Sequence, residues 1–206
     1  MLAAFKSSPA LSSLQTFPSL EVCDKESSGR SEVESLVREI YSARYGATVR
    51  EFAPILLALR NTEGRIVAAA GLRYANTAPL FLENYLDVPV EQLLVDGSMS
   101  ASDRGHIVEV AHLVSLKPGG GRRIMHLLGK QLTQEGMKFV VSTVTRELRH
   151  LFLRMGIAPI ALGRADQSRL GIGAKEWGSY YAHDPVVLAV ALAQTAKLLP
   201  HLIAGA

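Results

Sequence analysis

The chain has a single cysteine, Cys23, in 206 residues, so no disulfide can form within it. That suits a reducing compartment, and the expected setting is cytoplasmic. A small buried thiol at a strand end is the ordinary role for such a residue; a reactive thiol is the alternative. Long apolar runs are also missing. Residues 186–199 are too few to span a bilayer and include Lys197, so no stable membrane insertion is expected. Residues 1–18 lack the continuous apolar stretch of a secretory signal. Neither sign of charge dominates: the formal balance is +3, too small for a global field that draws nucleic acid or membrane. No metal site is assigned, and the oligomeric state is not legible.

What is present suits one globular domain with a sizeable core, at 48% hydrophobic and 20% charged residues. Residues 1–18, rich in serine and proline, read as a flexible arm, with a single domain over 19–206. Residues 19–23 form a short strand. Ser31 with Glu34 makes a capping-box pattern, and Val33, Leu36, Val37, Ile40 and Tyr41 follow at helical spacing, predicting a helix over 31–45. Two apolar runs, 54–60 and 65–74, flank Asn61-Thr62-Glu63-Gly64 and predict a β-hairpin. Residues 79–94 read as one or two short helices or a lid, and 96–105 as a polar loop. Strands are expected over 106–115, 139–145, 158–163 and 177–182, with helices over 120–136, 146–155 and 184–199. In the last of these Pro185 takes the first helical position. Strands joined by both hairpin and crossover connections indicate an α+β fold of three layers, α/β/α.

The densest information lies between His106 and Ile157. A strand, Ile107-Val108-Glu109-Val110-Ala111-His112-Leu113-Val114, empties into Lys117-Pro118-Gly119-Gly120-Gly121-Arg122-Arg123. A helix N-terminus after glycines presents unpaired N–H groups and partial positive charge, which suits an anion such as phosphate. A tight turn with solvated arginines is the plainer reading. The turn is neither a Walker A loop nor a dinucleotide fingerprint, because the required Lys-Ser/Thr and the third glycine are missing.

Glu109 interrupts a strand of Ile, Val, Ala and Leu. A carboxylate there is costly unless it is paired or functional, so it is either a general base or the partner of an arginine such as Arg73. His112, an odd offset of three away, falls on the opposite face of a regular strand. It reads as a core or edge histidine unless a bulge intervenes. Ser142, Thr143 and Thr145 are candidate donor contacts or simply strand formers.

Residues 106–157 resemble the core of the GNAT N-acyltransferase superfamily, in which a strand leads through a pyrophosphate-binding turn to a helix, then a second strand and helix. Lys117 and Arg122 replace residues usual in that turn. Phe152, in Phe152-Leu153-Arg154-Met155-Gly156-Ile157, replaces the tyrosine that often acts as general acid. The segments Phe52–Leu59, Ala70–Arg73, Leu80-Phe81-Leu82-Glu83-Asn84-Tyr85-Leu86-Asp87, and Ile107–Val110 with Leu113–Ser115 resemble the thermostable hemolysin family more closely. That family is GNAT-like and related in shape to acyl-homoserine-lactone and N-acyl amino acid synthases.

The resemblance implies a mixed, mostly antiparallel sheet flanked by helices, and N-acyl transfer to the amine of a small molecule. Acyl-CoA or the phosphopantetheine of an acyl carrier protein would be the co-substrate, and no cofactor would be bound permanently. Backbone around Leu113, Val114 and Ser115 would polarise the acyl carbonyl. Lys117, Gly119, Gly120, Gly121, Arg122 and Arg123 would hold the donor's phosphates. Glu109 and Glu83 would be catalytic, and Arg73, Tyr85 and Glu83 would bind the acceptor. Two alternatives stay open. One is an aminoacyl-tRNA donor, drawn by the basic bias of Lys117, Arg122, Arg123, Lys130, Lys138, Arg146, Arg149 and Arg154. The other is a non-enzymatic, membrane-active protein.

Overall fold

The computed structural model describes residues 20–94 and 104–195. The expected arm, most of the polar loop and the end of the expected last helix lie outside them. Seven strands form one sheet in the order β1-β2-β3-β4-β5-β7-β6. They are β1 (Leu20–Cys23), β2 (Ile55–Arg60), β3 (Ile66–Tyr74), β4 (Ile107–Ser115), β5 (Phe139–Val144), β6 (Ile160–Arg164) and β7 (Val186–Ala191). Every neighbouring pair is antiparallel except β4 and β5, which run parallel. The helices are α1 (Arg30–Tyr45), α2 (Val90–Leu93), α3 (Gly120–Gln134), α4 (Arg146–Arg154) and α5 (Leu192–Thr195).

Strand alternation divides the core between two faces. On β2, Leu56 and Ala58 pack with Val33, Val37 and Tyr41 of α1. Leu57 and Leu59 point the other way, to Ile124, Leu128 and Leu132 of α3. Period 2 in the strand thus meets a stripe spaced by three and four on each helix. α4 seals the lower part of the α3 face through Phe152, which packs on Val144 and Leu188. Cys23 is fully buried as a free thiol.

Three expectations change. Ser31 does not cap α1: the helix begins one residue earlier, after Gly29, with no side-chain cap. Glu34 is held instead by Arg30 and Arg38. Residues 177–182 form no strand; Gln167–Trp177 and Tyr180–His183 are 3-10 helix. The expected helix over 184–199 is a strand through its first part. Val186–Ala191 inserts between β5 and β6 and pairs with both. A central strand is apolar on both faces and has no 3.6-residue stripe to lose. Only Leu192–Thr195 turns helical.

The 3-10 segment is anchored to the end of α1. Ser179 N–H donates to the Tyr45 carbonyl at 2.7 Å and Thr48 N–H to the Glu176 carbonyl at 2.7 Å. Gly178 makes this approach possible: it sits at φ 52, ψ −126, and a Cβ there would collide with the Tyr45 carbonyl oxygen. Gly178→Ala is therefore expected to lose about 3 kcal/mol of stability, measured by urea unfolding. A loss under about 0.5 kcal/mol would show that the segment can detach from α1 without consequence.

Candidate active site

β4 and β5 pair only at Ile107↔Phe139, Val108↔Val140 and Glu109↔Val141. Beyond that point they diverge, so the backbone of β4 from Val110 onward loses its β5 neighbour. Ser142 spans the start of the gap, its Oγ donating to the Val110 carbonyl at 2.6 Å. Against β3, β4 carries a bulge: the register jumps from Ala69↔Val114 to Gly71↔Ala111, so two β4 residues oppose one on β3. His112 occupies the bulge at φ 52, a left-handed conformation uncommon for a side chain with a Cβ. The extra residue reverses the parity beyond it. Leu113 joins the α3 face, and His112 packs against Tyr41 and Phe52 on the Glu109 face. Gly71 is what admits the ring, since a Cβ at that position would press on His112 Cδ2.

Two cavities meet at this splay. The larger, about 520 Å³, is lined by Arg73, Phe81, Tyr85, Glu109, Trp177 and Tyr180 among others. The second, about 240 Å³, opens along the gap between β4 and β5, with Arg44, Leu113, Ser142, Thr145, Leu148 and Arg154 in its wall. Ala111, His112, Thr143 and Tyr180 line both. A third, apolar pocket of about 90 Å³ lies on the α3 face, lined by Met125, Leu128, Phe152 and Leu188 and sharing Val110, Leu113, Ser142 and Leu148 with the gap.

Glu109 is 3% exposed. Its Oε2 accepts from Phe81 N–H at 2.8 Å and its Oε1 from Leu82 N–H at 3.0 Å. Arg73, its cross-strand partner, stands 3.8 Å from Oε2. Of the two readings offered by sequence, the arginine is present but too distant for a hydrogen bond. The close contacts are backbone donors, and each carboxylate oxygen still has a lone pair to offer. Burial raises the carboxyl above the usual range, against the opposing pull of the Phe81 N–H, Arg73 and the Leu82 N–H.

Glu83 goes elsewhere. Its oxygens accept from Leu80 N–H at 2.8 Å and Val90 N–H at 3.1 Å, and both are held by Arg104 at 2.7 and 3.0 Å. Arg104 also pairs with Glu91. Desolvation pushes Glu83 upward, but Arg104 and the two N–H groups outweigh it and leave the carboxyl below its usual range. Glu83 does not line the cavity that holds Glu109. It clasps residues 80–90.

Tyr85 is buried, with its hydroxyl 2.6 Å from that of Tyr181. Tyr85 and Arg73 both line the large cavity. Of the expected donor residues, Leu113 lines the gap, while the Val114 side chain is core on the α1 face. Ser115 Oγ donates to the Lys117 carbonyl at 2.8 Å and lies against Gly120, where a Cβ would strike it. Gly119 is left-handed at φ 88 and α3 starts at Gly120. Residues 117–123 line neither of the two meeting cavities.

Sequence reasoning missed the aromatic wall. Tyr41, Tyr45, Trp177, Tyr180 and Tyr181 form one aromatic cluster beside the cavity, with Tyr180 stacked on Tyr41, tilted against Trp177 and edge-on to Tyr45 and Tyr181. The clustering of three of them within residues 177–181 was the available signal. Phe152 is buried beside the apolar pocket. Among the described residues no cluster of side chains could hold a metal ion and no helix is long and apolar enough to cross a membrane.

Comparison with solved structures places this arrangement in the GNAT-like fold. BjaI, a CoA-dependent acyl-homoserine lactone synthase solved with SAM and isopentyl-CoA, matches with a TM-score of 0.60 at 14% identity, covering 91% of this chain and 90% of that one. TofI, solved in a ternary complex with an inhibitor and MTA, matches at 0.58 and 16% identity, covering 88% and 96%. FeeM, an N-acyl amino acid synthase from uncultured soil microbes, matches at 0.58 and 13% identity, covering 88% and 96%. At such identities the likeness is one of fold. Comparison with curated proteins gives no match. The Thermostable hemolysin family profile, however, matches residues 23–196, and the chain belongs to that family.

Proposed function

We propose that this protein transfers an acyl group from a thioester donor, acyl-CoA or acyl carrier protein, to the amine of a small molecule. The observation that carries this reading is the meeting of two cavities at the β4–β5 splay, with a buried carboxylate on the acceptor side. The acceptor occupies the large cavity, its amine toward Glu109. Arg73 and Tyr85 line that space, and Arg73 suits an acceptor that carries a carboxylate. The thioester enters along the gap, and the apolar pocket beyond Leu113 takes the hydrocarbon end. Lys117, Gly119, Gly120, Gly121, Arg122 and Arg123 hold the donor's phosphates at the start of α3. A setting where acyl-CoA and carrier protein are made, the cytoplasm, follows from this reading.

The amine nitrogen attacks the thioester carbonyl carbon and gives up a proton to Glu109. The tetrahedral adduct collapses with cleavage of the C–S bond, and the thiolate leaves and is protonated. An amide and a free thiol result.

The test is incubation with acetyl- to octanoyl-CoA, and the matching acyl carrier proteins, against a panel of amino acids and small amines. Thiol release and amide mass are the readouts. Stoichiometric release of both products is expected. Activity that depends on aminoacyl-tRNA and is destroyed by ribonuclease would replace the thioester by a tRNA ester. Liposome leakage that persists in Glu109→Gln, with no thiol release from any donor, would favour the membrane-active alternative.

A further inference from the structure

The His112 ring is held more tightly than a filler of the core requires. Its Nε2 accepts a hydrogen bond from Ala53 N–H at 3.2 Å. Ala53 is itself fixed, because its carbonyl accepts from Arg30 Nη2 at 2.9 Å and the Pro54 carbonyl from Arg30 Nη1 at 2.9 Å. Tyr41 and Phe52 pack on the ring, and Gly71 leaves it room. A nitrogen that accepts from a backbone N–H carries no proton, so in the neutral ring the proton sits on Nδ1. Burial, helped by Arg73 and Arg30, keeps the imidazole neutral by lowering it to about 4. Nδ1 has no hydrogen-bond partner among the described residues, and His112 lines both cavities. Thr143, whose hydroxyl is buried and also unpartnered, lines both as well. The left-handed backbone at His112 sets the ring in the wall that the two cavities share.

We propose that His112 is a catalytic residue of the acyl transfer, its Nδ1–H donating a hydrogen bond to the acyl carbonyl oxygen as that oxygen gains negative charge. The inference rests on the acyl-transfer reading and supplies its oxyanion donor. The proton stays on Nδ1 throughout. The hydrogen bond strengthens as the C=O bond opens and relaxes when the C–S bond breaks, which is the differential stabilisation catalysis needs. The Arg73 guanidinium nearby adds favourable charge.

Three substitutions separate this role from a structural one. His112→Asn tolerates the left-handed backbone and places an amide N–H near the position of Nδ1. His112→Gln reaches the position of Nε2 and restores the acceptor for Ala53, leaving the cavity side without a donor. His112→Ala removes both. With the best thioester from the donor panel, the asparagine variant is expected to keep its kcat within about tenfold of wild type. The glutamine and alanine variants are expected to fall about 100- to 1,000-fold, with the donor KM changed less than about threefold. Glutamine matching or exceeding asparagine would assign His112 to holding Ala53 and overturn the proposal, as would an alanine variant that turns over normally. Nitrogen NMR of the wild-type imidazole gives a readout independent of variant folding. A proton on Nδ1, perturbed by the non-reactive ketone analogue of the donor, is expected; a proton on Nε2 overturns the proposal. Wild-type protein that transfers no acyl group from any thioester defeats the parent reading and this inference with it. Active wild type with an active glutamine variant defeats this inference alone.

Discussion

Glu109→Gln is expected to lower acyl turnover by about 100- to 10,000-fold, the range for loss of a general base. The amide cannot take the amine's proton, and it has one oxygen where the carboxylate has two. One of the Phe81 and Leu82 N–H groups then faces an amide NH₂ instead of an acceptor, which costs about 1–3 kcal/mol. Part of that is offset, because the variant removes a charge from a buried site. The sign follows from the raised carboxyl. A folded-state value above the unfolded one favours the folded protein below the ordinary carboxylate range, and the benefit is lost as pH rises through the folded value. Wild type should therefore lose stability relative to Glu109→Gln across that rise. The same titration should appear in kcat/KM, with wild-type activity climbing along a limb centred above the ordinary carboxylate range. Steady-state kinetics from pH 4 to 8 with parallel melts check both; near-normal turnover in the glutamine variant would remove Glu109 from the reaction.

The second large effect is on folding. Glu83→Ala should destabilise the protein by about 2–4 kcal/mol, because it strips the Leu80 and Val90 N–H groups of their acceptor and takes one of two carboxylates from Arg104. The loss should extend to the site, since residues 81 and 82 supply the N–H groups that fix Glu109. Glu83 has the opposite pH dependence to Glu109. Its lowered folded-state value means that its contribution is present above the unfolded carboxylate value and disappears as pH falls through the folded one. Chemical denaturation at pH 7 and at pH 3 should thus show a wild-type advantage that shrinks in acid. An unchanged advantage at both would assign the loss to packing around Leu82.

The run from β4 through α4 was legible because its signals agree: alternating apolar residues, glycines at the turns, and amphipathic helices on either side of β5. The C-terminal strand was not. Val186 to Ala191 is apolar at every position, and a short continuous run does not distinguish a doubly buried strand from a helix. His112 was hidden for a different reason. Its face depends on a bulge, and the room for its ring depends on Gly71, a residue on another strand. Side-chain parity along β4 alone gives the wrong face. Glu83 shows the converse. The resemblance singled out the residue, but the donors around its oxygens come from residues 80, 90 and 104, which the sequence alone does not bring together.

The position of β7 also bears on how the chain reaches this state. Among the described residues β6 has one neighbour in the sheet, and that neighbour is the last of the strands in sequence. During vectorial synthesis the first five strands can pair before residue 186 leaves the ribosome, but β6 cannot join them and β5 keeps an open edge. Phe139–Val144 is rich in β-branched residues, so this nascent edge is a ready template for pairing with another chain. In the finished sheet β7 closes that edge by pairing with β5 on one side and β6 on the other.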